Sequence, residues 1–332
     1  MAQRPTPIDR CAPLPGTESE DPMLAVVNAA SQLPAIGLAA VEARALFYLQ
    51  AGFPLHLRGP AGSGKTTLAL RLADQLKRPV MLLVGDASFD TRHLVGSEGG
   101  TRTRRVVDRY ISTVMKVESE TESVWLDRTL TVACMEGCTL VYDEFNRAPA
   151  TANNVLLTVL EERILVLPKA GRGESYVKVS PDFRAIFTSN PVDHVGTHPA
   201  QDALVDRMVT IDLEGFDRTA EIAILRSRAG LSAGDAARIV DVVRDFRASR
   251  EYAQRPTLRA ALMIAELAAR GGMRIACDDP RFVALCLDIL GAKLKPAADG
   301  LPHPQQRALL QKLIDHFCPA AGGAKPARGS LP

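Results

Sequence analysis

The run Gly59-Pro60-Ala61-Gly62-Ser63-Gly64-Lys65-Thr66-Thr67 leaves this chain few folds to choose from. It fits G-x-x-x-x-G-K-[ST] without a gap. A short apolar run, Leu55-His56-Leu57, precedes it, and an amphipathic segment from Leu68 to Leu76 follows. Strand, glycine loop and helix are the setting that a phosphate-binding loop requires. Glycines let the backbone curl so that successive N–H groups point at phosphate oxygens. The following helix adds its free N–H groups and the positive end of its dipole. Lys65 supplies a point charge for the outer phosphates, and the Thr66 hydroxyl can ligate Mg²⁺. The competing reading, a glycine turn capping a core helix, explains neither the lysine nor the threonine.

A second element decides what the loop is for. Leu140-Val141-Tyr142-Asp143-Glu144 is an apolar strand that ends in two carboxylates. Alone, such a pair reads as a solvated turn. Downstream of a phosphate loop, Asp143 at the strand tip can hold the metal that Thr66 also touches. Glu144 can then polarise a water as general base. Asn190 ends another apolar strand, Phe183 to Ser189, and precedes Pro191. A neutral amide there can bond a water or a terminal phosphate. Asn-Pro also suits an Asx-turn, and the residues alone favour the turn.

The remaining strands and helices follow from periodicity. Residues 1–22, proline-rich and polar, are expected to form a disordered arm, and the Gly/Ala/Pro-rich 318–332 a disordered tail. Between them the pattern changes near Gly215. Residues 23–215 read as α/β, with strands at 54–58, 80–84, 139–142, 183–189 and 208–213, and residues 216–317 as all-α. A helix is expected over 39–51, one turn at 90–95, a hairpin within 106–117, a helix over 120–136 and another over 151–162. Two strands, 164–167 and 175–179, flank the glycine- and lysine-bearing tip 169–173. Helices in the last third start at Asp217, Ser232, Thr257, Asp279 and Pro304, several behind capping residues.

Composition narrows the partners. The net charge of +2 gives no bulk attraction to nucleic acid or to an anionic membrane, although Arg102, Arg104, Arg105 and Arg109 cluster locally. No apolar run is long enough to span a bilayer, and Met1–Arg10 lacks the pattern of a signal peptide, so a cytoplasmic protein is expected. The six cysteines are scattered, with only Cys134 and Cys138 close together, which suits reduced thiols better than a zinc site.

The order of these pieces resembles AAA+ ATPases: Gly59 to Thr67, then Asp143-Glu144 with Asn146-Arg147, then Thr188-Ser189-Asn190-Pro191, then Leu204-Val205-Asp206-Arg207. Asp143-Glu144-Phe145-Asn146-Arg147-Ala148-Pro149 and Gly196-Thr197-His198-Pro199 are similar to the MoxR branch. The stretches 51–62, 141–147 and 153–157 resemble the gas vesicle protein N (GvpN) family, and the likeness runs from about residue 30 to 292. The resemblance implies a P-loop AAA+ core, a parallel sheet flanked by helices, followed by an all-α lid. It implies ATP and Mg²⁺ as cofactors, ATP hydrolysis as the activity, and a ring, expected to be a hexamer. It implies that Arg207 is an arginine finger acting on a neighbouring subunit. Arg259 would be a lid arginine sensing the γ-phosphate, although Arg255-Pro256-Thr257-Leu258-Arg259 departs from the family's usual Gly-Ala-Ser-Pro-Arg wording. The hairpin at 164–179 would be either a pore-facing insertion or an ordinary surface hairpin. The implied role is an ATP-driven chaperone for gas vesicle assembly or enlargement, acting on shell and accessory proteins and associated with the vesicle. The alternatives are a nucleotide-binding component of the vesicle wall without turnover, an ATPase with another protein client, a nucleic-acid motor, and a P-loop kinase.

Overall fold

The computed structural model describes residues 37–111, 114–167, 176–190, 202–295 and 304–320. The terminal arm and most of the C-terminal tail, the tip at 169–173 and Gly196-Thr197-His198-Pro199 lie outside the described residues. The chain divides into two compact units. The first is built on Ala40–Pro60 and Gly64–Leu213, and the second runs from Glu214 onward, with Ala61–Ser63 grouped with it.

In the first unit, helix α1 (Ala39–Gln50) leads into β1 (Leu55–Arg58), and α2 (Lys65–Gln75) leads into β2 (Val80–Val84). A short helix α3 (Thr91–Val95) follows, with the Asp90 carboxylate at its N-cap accepting from the Arg92 and His93 amides. The chain then runs out along β3 (Gly96–Ile111) and back along β4 (Val114–Asp127) before α4 (Thr129–Glu136) and β5 (Thr139–Asp143). Helices α5 (Ala150–Asn153) and α6 (Val155–Glu161), the ribbon β6 (Ile164–Val166) with β7 (Tyr176–Lys178), β8 (Arg184–Ser189), α7 (Asp202–Val205) and β9 (Val209–Asp212) complete the unit.

Five strands form one sheet in the order β2-β5-β8-β1-β9, all neighbours parallel. Parallel strands are covered on both faces and so are apolar throughout. Leu140, Val141 and Tyr142 on β5, and Ile186 and Phe187 on β8, are fully buried. One face packs Leu130, Ala133 and Cys134 of α4 and Leu156 and Val159 of α6 against Leu140, Tyr142 and Phe187. Because β1 lies between β8 and β9 while the chain crosses to β2 at the far edge, the strand order reverses beside β1. Ligands in open α/β sheets sit at the carboxyl ends of the strands at such a point.

The long ribbon corrects two expectations. The hairpin placed within 106–117 extends from Gly96 to Asp127, and the helix expected over 120–136 begins only at Thr129. Residues such as Val117, Thr121, Val124 and Trp125 favour a pleated strand, and their partners on β3 satisfy the backbone. The helix expected over 151–162 is broken at Asn154. Next to the break, the side chain of Asn153 turns inward, accepting from the Tyr142 hydroxyl at 3.0 Å and donating to the Phe145 carbonyl at 3.1 Å.

One buried polar group carries a pH dependence. His56, 1% exposed on β1, bonds Ser189 Oγ through Nε2 at 2.8 Å and Thr210 Oγ1 through Nδ1 at 3.1 Å, joining β1 to both neighbours. Burial first, then the Arg58 charge, lower its pKa to about 4. The unfolded chain takes up a proton near pH 6.5 while the folded chain does not, so stability falls as pH drops from 6.5 towards 4. The loss is roughly 3 kcal/mol across that window. Thermal unfolding measured through it should fall more steeply for the wild-type protein than for a His56→Gln variant, which keeps polar atoms without a titrating ring.

The second unit is helical: α8 (Arg218–Ala229), α9 (Ala233–Ser249), α10 (Leu258–Arg270), α11 (Pro280–Gly291) and α12 (Pro304–Phe317). Asp217 and Ser232 cap the first two through the Ala220 and Asp235 amides. Its core gathers Val243, Phe246, Ile264, Ala265, Phe282 and Leu310. Glu221, buried at the start of α8, accepts from both Arg244 and Arg247 of α9.

Candidate active site

The phosphate loop turns through left-handed backbone at Gly62 (φ +82°) and Gly64 (φ +83°), where a side chain would be strained. Gly64 occupies the N-cap position of α2 and no side chain caps that helix, so its first N–H groups are available to an anion. Gly59 donates to the Ser189 carbonyl at 3.3 Å, which ties the start of the loop to the end of β8. Pro60 and Ala61 continue the loop. Ser63 is buried, and Thr67 is half-buried on the first turn of α2.

Lys65 is 7% exposed, and its Nζ donates to the Gly59 and Pro60 carbonyls, both at 2.8 Å. Burial pulls its pKa down, opposed by the charges of Asp143 and Glu144. An ammonium has three donors, so the two bonds to its own loop leave one for a ligand.

The two stretches singled out in the sequence meet. Thr66 Oγ1 lies 2.8 Å from Asp143 Oδ1 and 3.0 Å from Oδ2. The Thr188 hydroxyl, on β8, donates to Asp143 Oδ1 and accepts from the Glu144 amide at 2.9 Å. These are hard oxygen donors of the kind Mg²⁺ prefers. Among the described residues no cluster of three or more His, Cys, Asp or Glu could cage a metal on its own. A site that offers one hydroxyl and one carboxylate suits an ion that keeps waters and takes phosphate oxygens from a nucleotide.

Glu144 follows directly in left-handed backbone, φ 51° and ψ 41°, ahead of a 3₁₀ turn at Phe145–Arg147. Its carboxylate is held on both sides. Asn190 Nδ2 donates to Oε1 at 3.3 Å, and Arg147 Nη1 donates to Oε2 at 3.0 Å. Asn190 thus contacts the acidic pair through its side chain. Its Oδ1 is buried without a hydrogen-bond partner among the described residues, an acceptor suited to a donor such as water.

Several residues that build this arrangement had no role assigned from the sequence. Gly85, after β2, donates to the Asp143 carbonyl at 2.8 Å. A Cβ on it would come within 2.2 Å of the Glu144 carbonyl oxygen and 2.9 Å of its carbon, so residue 85 has no room for a side chain unless Glu144 moves. Thr188 and Asn153 act through tertiary contacts that only the fold creates. The available hint was their place in stretches that carry the family likeness, Thr188 ahead of Asn190 and Asn153 within 153–157.

Two further predicted residues are arginines. Arg207, just after α7, donates through Nε to Glu161 Oε2 at 2.7 Å, through Nη2 to the same oxygen, and through Nη1 to the Ala203 carbonyl. Arg259 is exposed on the first turn of α10, in the second unit.

Comparison with known proteins agrees with the fold. Residues 54–208 match the family described as AAA domain (dynein-related subfamily). A gas vesicle ATPase GvpN of Ancylobacter aquaticus is 50% identical over 87% of this chain and 84% of its own length. One from Haloferax mediterranei is 41% identical over 78% and 74%. Among solved structures, a putative ATPase of Cytophaga hutchinsonii covers 88% of this chain and 93% of its own at 18% identity and a TM-score of 0.42. The architecture is an AAA domain with a parallel five-stranded sheet flanked by helices, followed by a helical C-terminal region. Identity at that level, sustained across most of both chains, leaves one conclusion about descent: the chain belongs to the gas vesicle ATPase GvpN family.

Proposed function

We propose that this protein hydrolyses ATP with Mg²⁺ and uses the energy as a chaperone in gas vesicle assembly or enlargement, acting on shell and accessory proteins. The observation that carries the reading is the direct contact between Thr66 and Asp143, with Glu144 next in the chain and Asn190 on its carboxylate. In this reading the loop amides and Lys65 bind the phosphates, while Thr66 and Asp143 hold the metal. Bound there, Mg²⁺ would supply positive charge to the phosphate oxygens. Glu144 takes the proton of the attacking water, and Asn190 orients that water. Arg207 acts as a finger on a neighbouring subunit of a ring, most simply a hexamer, and Arg259 senses the γ-phosphate. The link to gas vesicles comes from the names of the relatives, which are gas vesicle ATPases; shell and accessory proteins as clients are what the family resemblance implies.

Location follows the same reading: cytoplasmic, associated with the vesicle. Among the described residues no helix is long and apolar enough to cross a membrane. The nucleic-acid reading loses half of its motivation to strand register. In the register of the ribbon two of the cluster's four arginines pair with acidic positions, Arg102 with Glu122 and Arg104 with Glu120.

Phosphate release by the purified, assembled protein in Mg²⁺ and ATP tests the activity. Lys65→Ala should remove nucleotide binding and turnover together. In cells, loss of the chain should stop vesicles enlarging while shell protein is still made. A wild-type preparation that assembles but never releases phosphate would refute the enzymatic reading.

A further inference from the structure

Asn146 is 4% exposed in the 3₁₀ turn that follows Glu144. Its Nδ2 donates to the main-chain carbonyl of Asn190 at 3.0 Å. Asn190 in turn reaches back with its own Nδ2 to Glu144 Oε1. The three residues close a ring: the Glu144 turn, the Asn146 side chain, the Asn190 backbone, the Asn190 side chain and the Glu144 carboxylate. A buried amide is an expensive way to fill space, because each polar atom left unpaired costs free energy. Asn146 Oδ1 is buried and has no partner among the described residues, so packing alone would be better served by an apolar side chain. What the amide supplies is a bond from the turn carrying Glu144 to the main chain of Asn190 itself, beside the bond from the Glu144 amide to Thr188.

We propose that Asn146 is a positioning residue for hydrolysis, coupling the turn that presents Glu144 to the strand end that presents Asn190. The proposal rests on the hydrolytic reading above. Asn146 touches neither phosphate nor metal in this assignment and acts only through Asn190. Without its donor, the Asn190 main chain loses its tether and its amide no longer tracks the Glu144 carboxylate. Nucleotide binding depends on Lys65, Thr66 and the loop amides and should survive.

The test compares Asn146→Leu, which keeps the branching at Cγ, and the isosteric Asn146→Asp, both lacking the amide donor, in the full chain. Each should lower kcat about 10- to 100-fold, the order seen when an outer partner of a catalytic group is removed, with KM changed by less than about twofold. The same changes made on an Asn190→Ala background should cost less than about threefold, because there is no amide left to position. A residue that merely supports the fold would cost the same on both backgrounds. Additive losses, a parallel loss of nucleotide affinity, or an unchanged kcat in either folded variant would overturn the proposal. Glu144→Gln, assayed alongside, separates the two levels. If it turns over at the wild-type rate, Glu144 is not the base, and the assignment on which the coupling rests fails whatever Asn146 does. If it is inactive and the Asn146 variants are not, only the coupling fails.

Discussion

Glu144→Gln should leave ATP bound and cut its turnover by about 10²–10⁴, the range for removing a general base. Glutamine keeps the shape of the side chain, and its carbonyl oxygen can still accept from Asn190 Nδ2. The left-handed turn is set by Gly85, by Thr188 and by the bonds around Phe145, none of which touches the carboxylate. What disappears is the ability to take a proton, along with the ion pair to Arg147, which at a half-exposed surface site contributes little to stability. The expected signature is therefore a fall in kcat with nucleotide affinity and melting temperature nearly intact. A nucleotide-locked wall component without turnover would tolerate the change. Phosphate release and nucleotide titration on the same preparation decide between the two, and a variant that hydrolyses ATP like the wild type would remove Glu144 from the mechanism.

The sequence disclosed those elements whose physics is local. The phosphate loop, the acidic strand tip and the capped helices of the second unit each depend on a few consecutive residues. The parallel strands announce themselves as continuous apolar runs, so Val80–Val84 was legible to the residue even though it is a partly exposed edge strand. The ribbon was not, because β4 takes its conformation from β3. In isolation Ser119 to Asp127 mixes charge and apolar residues in a way that also suits a helix. The site shows the same division. Lys65, Thr66, Asp143 and Glu144 could be named from spacing, and Asn190 from its place at a strand end with help from family likeness. Gly85 could not, since its need to be glycine comes from the Glu144 carbonyl, which the fold brings to within 2.2 Å of where its Cβ would be. Asn146 was visible as part of a motif but had no role until the Asn190 carbonyl appeared beside it.

Arg207→Ala should lower turnover by about 10³–10⁵, the effect of losing an arginine finger, while each subunit still folds and binds ATP. In the single chain the guanidinium is satisfied at home: Nε and Nη2 on Glu161, Nη1 on the Ala203 carbonyl. Its carboxylate partner is largely exposed, so the pair is worth at most about 1 kcal/mol and its loss cannot by itself account for a thousandfold effect. A large loss of turnover with an unchanged melting temperature would therefore show that Arg207 acts in catalysis and not through its ion pair. A mixing experiment separates a finger acting across a subunit boundary from one acting within. Arg207→Ala subunits retain Glu144, and Glu144→Gln subunits retain Arg207. Where the second type neighbours the first, a complete site forms, so the two inactive proteins should recover activity when assembled together. If the mixture stays inactive although mixed assemblies form, Arg207 acts within its own chain. If Arg207→Ala alone keeps wild-type turnover, the ion pair with Glu161 is all that the residue does.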